Sequence, residues 1–334
     1  MTEIHPPFVS TGTLPELDAV TELVEATHRL FASHSDGDVS DVYPVLGDVP
    51  PDQFGICVAT VGGDLVATGD SDVAFPIMSV VKPFTFALAC EALGPDAVRE
   101  RLGVNATGLP FNSLEAVARD PSGRTNPMVN PGAIATVSLV PGADAGERWL
   151  AIHTGLSAFA GRQLAVGHEV YDSASATNST NRDISEMLAG LGTLDGDPVE
   201  TLDLYTRQCA LEVTAVDLAV MGATLADGGV NPVTGVRVVS AATCRYTLAV
   251  MATAGLYETS GDWLYEVGLP GKSGIGGGIV TVSPGKGGLG TFSPPLDQAG
   301  NSVRGTLVAR HLATHLGLDL FVSEAARTAP LTSR

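Results

Sequence analysis

The chain has 334 residues, 44% of them hydrophobic, and a formal charge of −19 from 37 acidic and 18 basic residues. That length and apolar content bury a large core and exclude a disordered chain, while the acidity disfavours nucleic acid and anionic lipid as partners. The amino-terminal MTEIHPPFVSTGTLPELD lacks a basic stretch followed by an apolar one, and no segment reaches the roughly 18 to 20 apolar residues of a spanning helix. A cytoplasmic protein acting on a small molecule is the expectation.

In chain order, residues 15–33 place Leu17, Val20, Leu23, Val24 and Phe31 at helical spacing and predict an amphipathic helix. FGICVATVGGDLVATGD predicts two strands joined at Gly62-Gly63. From about residue 79 to 255 the pattern is mainly helical. Its clearest element is TAVDLAVMGATLADGG, with Thr214 as N-cap and Gly228-Gly229 as the stop. GGGIVTVSPGKGGLGTFSP predicts a second hairpin across Pro284-Gly285, and VRGTLVARHLATHLGL a closing amphipathic helix. Strands near both ends with helices between predict an α+β fold: an antiparallel sheet from the two chain ends, flanked by terminal helices, with a mainly helical insertion and the active site at the seam. The expected division is a single domain over 1–334, with an α/β part at about 15–80 and 235–325 and a helical part at about 81–234.

Cys57, Cys90, Cys209 and Cys244 are far apart in apolar surroundings and read as reduced core thiols. His311 and His315 stand at helical i, i+4 spacing, without a third ligand or an HExxH pattern, so a surface helix pair is the favoured reading over a metal site.

The chain has three lysines. One, Lys82, interrupts the apolar run FPIMSVVKPFTFALAC three residues after Ser79. Positions i and i+3 share a helix face, and burial lowers a lysine's pKa, which makes Lys82 a candidate base and Ser79 a candidate nucleophile. Ser283 and Lys286 repeat the S-x-x-K spacing across a Pro-Gly turn and are assigned to a hairpin tip. Lys272-Ser273-Gly274 supplies the K-[ST]-G that accompanies S-x-x-K in penicillin-recognising serine enzymes.

Four blocks together resemble the bacterial and mitochondrial glutaminases of the serine-dependent β-lactamase-like, transpeptidase-like fold. They are FPIMSVVK, NPMVNPGAI, YTRQCALEVTAVDLAVMGATLADGGVNPVTG and GLPGKSGIGGGIVTVSPGKGGLGTFSPPLDQAGNSV. The resemblance spans about residues 20–320 and implies hydrolysis of the glutamine side-chain amide to glutamate and ammonia, with no cofactor. It implies Ser79 as nucleophile, Lys82 as base and Tyr205 as a helper in proton transfer. By the same resemblance the oxyanion donors would be the N–H groups of Ser79 and Ile275; Asn130, Asn181, Tyr205, Tyr257 and Ile275 would contact substrate, and Lys272 and Ser273 would support them. It also implies a homodimer or homotetramer.

The chain departs from the family pattern where it would pair with the substrate's α-ammonium. SASATNSTN puts Ala174 at the place of a glutamate, leaving three outcomes: compensation by Glu169, Asp172 or Asp183, a substrate without that charge, or poor activity. Met78, Pro131 and Thr180 stand where relatives carry glutamine, alanine and arginine. Three other readings stay open at this level: an amidase on another small amide, a penicillin-recognising enzyme, and a catalytically weak binding homologue.

Overall fold

Gly62-Gly63 and Pro284-Gly285 each reverse the chain where the sequence places a turn. The computed structural model describes residues 13–322; residues 1–12 and 323–334, which include part of the amino-terminal stretch read for a leader and the end of the expected α/β part, lie outside the described residues. Its strands are β1 (Gly55–Thr60), β2 (Leu65–Gly69), β3 (Phe75–Pro76), β4 (Ala165–Val166), β5 (Leu211–Val213), β6 (Gly271–Ser273), β7 (Gly278–Ser283) and β8 (Gly287–Phe292). Five of them form an antiparallel sheet in the order β2-β1-β8-β7-β6. The two ends of the chain meet at the β1–β8 ladder, which runs from Gly55 opposite Phe292 to Thr60 opposite Gly287.

Side chains alternate across β1, so Ile56 and Val58 face one layer and Cys57 and Ala59 the other. The first layer is built by the terminal helices Leu17–Phe31 and Val303–His315, whose Val20, Val24, Val308 and Leu312 pack on Ile56, Ile279 and Leu289. Leu17, at the first residue of its helix, stays exposed. On the other layer lies the helix Ala215–Ala226, started by Thr214 as expected. Its fit depends on missing side chains: a Cβ on Gly290 of β8 would fall 2.1 Å from the Ala215 carbonyl oxygen, so only glycine lets helix and strand backbones approach this closely. The expectation that this helix belongs with the helical insertion is thus met only in its type, because it packs along β1, β7 and β8.

Asp217 ties that helix down. Its carboxylate accepts from the Thr214 N–H at 2.8 Å, completing a reciprocal capping box, and from Arg162 Nε and Nη2 at 2.7 and 2.6 Å. Asp217→Ala is expected to cost about 2 to 3 kcal/mol, from the lost cap and the charge-assisted bonds of a carboxylate that is 6% exposed beside a half-exposed arginine. Urea unfolding measures it, and a cost below 0.5 kcal/mol would refute it.

The helical part explains the apolar run around Lys82. The helix Lys82–Leu93 is buried on almost every side, between the helices Asn130–Ser138, Ala145–Ala160 and Ala241–Ala254. A small second sheet, β3-β5-β4, was not anticipated. Its strands have two or three residues, too few for a period to show. Among the described residues no helix is long and apolar enough to cross a membrane. The second S-x-x-K copy lies at its hairpin tip, where Lys286 Nζ donates to the Gly317 carbonyl and Ser283 Oγ to that of Leu318. His311 and His315 stack 4.1 Å apart on the closing helix, and His311 Nδ1 lies 2.9 Å from Thr27 Oγ1.

Candidate active site

The small sheet sets the nucleophile segment. Phe75 and Pro76 pair with Val213 and Glu212, and the Ile77 N–H donates to the Leu211 carbonyl at 2.8 Å. This stitches the chain before Ser79 to the strand that follows the helix Pro198–Cys209, bringing Tyr205 and Cys209 alongside. Ser79 sits in a 3₁₀ turn, Met78–Val81, that runs directly into the helix Lys82–Leu93, with Pro83 in the first turn where its missing N–H is tolerated. Met78 takes φ +47°, in the left-handed region that bulky residues avoid; such strain persists only where the surrounding fold enforces it.

The β6–β7 loop presses against this turn. A Cβ on Gly276 would fall 2.6 Å from the Pro76 carbonyl oxygen, so the glycine is what permits the approach. Ile275, beside it, reaches the same cavity as Ser79. Among the described residues, neither the Ser79 nor the Ile275 N–H donates to a protein acceptor, so both are free for an oxyanion.

Lys82 is 1% exposed. Its Nζ donates to Asn130 Oδ1 at 2.7 Å and to the Met128 carbonyl at 3.5 Å. The NPMVN segment is shaped for this contact: Asn126 Oδ1 accepts from the Met128 N–H at 2.9 Å, and Asn130 opens the wholly buried helix Asn130–Ser138. Burial pushes the Lys82 ammonium down to about 7, against a smaller opposing effect of Cys209. Lys272, also buried, is pushed well down by burial and then by the like charge of Lys82. Its Nζ donates to the Ser273 carbonyl at 2.8 Å and lies 4.2 Å from the centre of the Tyr257 ring.

Asn130 is the hub of the cavity floor. Its Oδ1 also accepts from the Tyr205 hydroxyl at 3.1 Å, and its Nδ2 donates to Asn181 Oδ1 at 2.9 Å. Asn181 Nδ2 passes on to Asn178 Oδ1 at 2.5 Å, and Asn178 Nδ2 to Thr206 Oγ1 at 3.2 Å. Burial holds the Tyr205 hydroxyl well above its ordinary value and the Tyr257 hydroxyl up at about 12, the latter against the Ser79 and Ser273 hydroxyls beside it. Both phenols therefore keep their protons at neutral pH. Tyr257, at φ +56°, also donates to the Ser273 carbonyl at 3.3 Å.

Ser79, Asn130, Asn181, Tyr205 and Ile275 all line one cavity of about 140 Å³. Lys82, Lys272, Ser273 and Tyr257 stand behind that wall, with Phe111 facing the cavity 4.8 Å from the Tyr257 ring.

Residues 37–321 match the family model "Glutaminase". Glutaminase 2 of Yersinia pestis is 61% identical over 317 residues, covering 95% of this chain and 93% of the relative. A glutaminase of Brucella canis is 49% identical over 306 residues, covering 92% and 96%. The chain belongs to the glutaminase family. Solved structures agree: the probable glutaminase ybaS superposes with a TM-score of 0.91 at 43% identity, over 92% of this chain and all of that one. A probable glutaminase from Bacillus subtilis, complexed with 6-diazo-5-oxo-L-norleucine, gives 0.80 at 30% identity over 95% and 99%. The family's β-lactamase-like α+β fold is the one the sequence indicates.

Several wall residues of this glutaminase carry no sequence signal. Tyr43 and Val42 come from an irregular segment before β1, and Cys209 emerges as a half-buried wall residue, where the sequence suggests a core thiol. Burial pushes its thiol up to about 11, so it stays protonated. Asn178 is recognisable in hindsight, three residues before Asn181 in TNSTN. Ala174, Met78 and Thr180 line the cavity, whereas Pro131 does not. None of the three acids suggested as substitutes for the family glutamate lines it; Glu169 faces a separate groove.

Proposed function

We propose that this glutaminase hydrolyses L-glutamine to L-glutamate and ammonia through an acyl-enzyme on Ser79. The observation that carries the reading is a lysine 1% exposed, its pKa pushed down to about 7 by burial, three residues from a serine that opens onto a cavity. Ser79 Oγ attacks the side-chain amide carbon as Lys82 Nζ takes its proton. The carbonyl oxygen becomes an oxyanion between the N–H groups of Ser79 and Ile275. Collapse breaks the C–N bond, and ammonia leaves with a proton supplied by Lys82 through the Tyr205 hydroxyl, which shares Asn130 Oδ1 with it. Water then attacks the ester, Lys82 again takes the proton, the C–O bond breaks, and glutamate leaves as Ser79 is reprotonated. Asn130 and Asn181 position the substrate, Lys272 and Ser273 brace the β6 edge, and Tyr257 backs Ser79.

The test is ammonia release from L-glutamine together with mass spectrometry of acid-quenched enzyme. The expected adduct, glutamine less ammonia, sits on the peptide containing Ser79. Turnover with the adduct on another residue, or no turnover, would refute the reading.

The same reading takes the protein as a cytoplasmic homodimer or homotetramer. Four unpaired cysteines fit a reducing compartment, and size-exclusion chromatography with light scattering reads the assembly. It also retains the expected two-part division of one domain, with the helix Ala215–Ala226 moved to the α/β part on which it packs.

A further inference from the structure

L-glutamine brings two charges to the cavity, an α-ammonium and an α-carboxylate. Among the described residues, no side chain lining the cavity carries a carboxylate, a guanidinium or an ammonium. The two substrate charges are nevertheless treated unequally. The wall holds neutral donors, including the hydroxyls of Tyr43 and Thr180 and the amide of Asn112, and several N–H or O–H donors together satisfy a carboxylate without a cation. An ammonium finds only neutral acceptors and no carboxylate, and one of those acceptors, Asn130 Oδ1, already accepts from Lys82 Nζ and Tyr205. The carboxylates of Asp36, Asp38, Asp41 and Asp297 line an adjoining groove that meets the cavity at Val42, Phe111 and Ile275, where open solvent screens them.

We infer that the site is selective for the carboxylate and the terminal amide of its substrate and not for an α-ammonium, so that it hydrolyses ω-monoamides of dicarboxylic acids lacking that charge at least as readily as L-glutamine. The inference rests on the glutaminase reading above and extends its substrate class. Ala174 is the determinant. It lines the cavity, 5% exposed, on the helix His168–Thr177, and offers a methyl group where a carboxylate would make a charge-assisted bond worth about ten- to 150-fold in binding.

The experiment compares kcat/KM for L-glutamine and for 4-carbamoylbutanoate, the same skeleton with hydrogen in place of the α-ammonium, on the full chain. The expected value for 4-carbamoylbutanoate is within threefold of that for L-glutamine or above it. Ala174→Glu is expected to swing the ratio toward L-glutamine by tenfold or more. As a measurement independent of any variant's folding, glutarate is expected to inhibit the unmodified protein at least as tightly as L-glutamate. A preference for L-glutamine above threefold, or for L-glutamate over glutarate by the same margin, overturns the inference and leaves the glutaminase reading intact. A folded protein that turns over neither amide overturns both.

Discussion

Lys82→Met is expected to lower kcat/KM for L-glutamine by about 10²- to 10⁴-fold, the usual worth of a positioned base, while making the protein more stable. The two effects have one cause. An ammonium moved from water to a site 1% exposed loses its hydration, and its pKa falls to about 7 because the fold holds the neutral form. The folded pKa lies below that of the unfolded chain, so between about 7 and 10.5 the unfolded chain binds a proton that the folded one has released. Stability attributable to this group therefore rises with pH through that window and is lowest below pH 7. Methionine removes the penalty and retains the apolar stem's packing, at the cost of the bond to Asn130 Oδ1, which keeps the Tyr205 hydroxyl. A net gain of about 2 kcal/mol is expected near pH 6.5, shrinking toward pH 10. Urea unfolding at both pH values reads it, and a loss of stability at pH 6.5 would contradict the argument. In the unmodified enzyme the same group requires kcat/KM to rise with pH through about 7, since only the neutral amine accepts the serine proton.

Ser79→Ala is expected to abolish the covalent route and to reduce ammonia release by about 10⁴-fold or more. Its stability is expected to change by less than about 1 kcal/mol, because the hydroxyl faces a cavity and the 3₁₀ turn is held by backbone bonds and by the clasp of β3 on β5. Glutamate is expected to bind the variant with an affinity within a few fold of the unmodified protein, by calorimetry, since the Asn130–Asn181 floor is untouched. Residual turnover above one part in a hundred would show that another group does the chemistry. Lys82→Met and Ser79→Ala together are expected to be scarcely slower than Ser79→Ala alone, as befits groups that act as a unit.

Much of the fold is legible along the chain because its signals are local. Gly62-Gly63 and Pro284-Gly285 impose turns through backbone sterics, Thr214 caps its helix by a bond to a residue three places on, and a lysine inside an apolar run is conspicuous by its desolvation cost. The candidate site was half legible for the same reason: Ser79 and Lys82 are one turn apart, and their blocks resemble a known family.

By itself the sequence determined the two hairpins, the terminal helices, the serine and lysine, and the absence of a glutamate at Ala174. Only the tertiary structure decided that β1 pairs with β8, that Ala215–Ala226 lies on the sheet, that Asn130 occupies Lys82, and that Tyr43 and Cys209 complete the cavity wall. These contacts join residues that no repeat or spacing relates. At the sheet Gly290 lets the helix Ala215–Ala226 close on β8, and at the site Gly276 lets the β6–β7 loop close on Pro76, a complementarity of surfaces that exists only once both partners are folded.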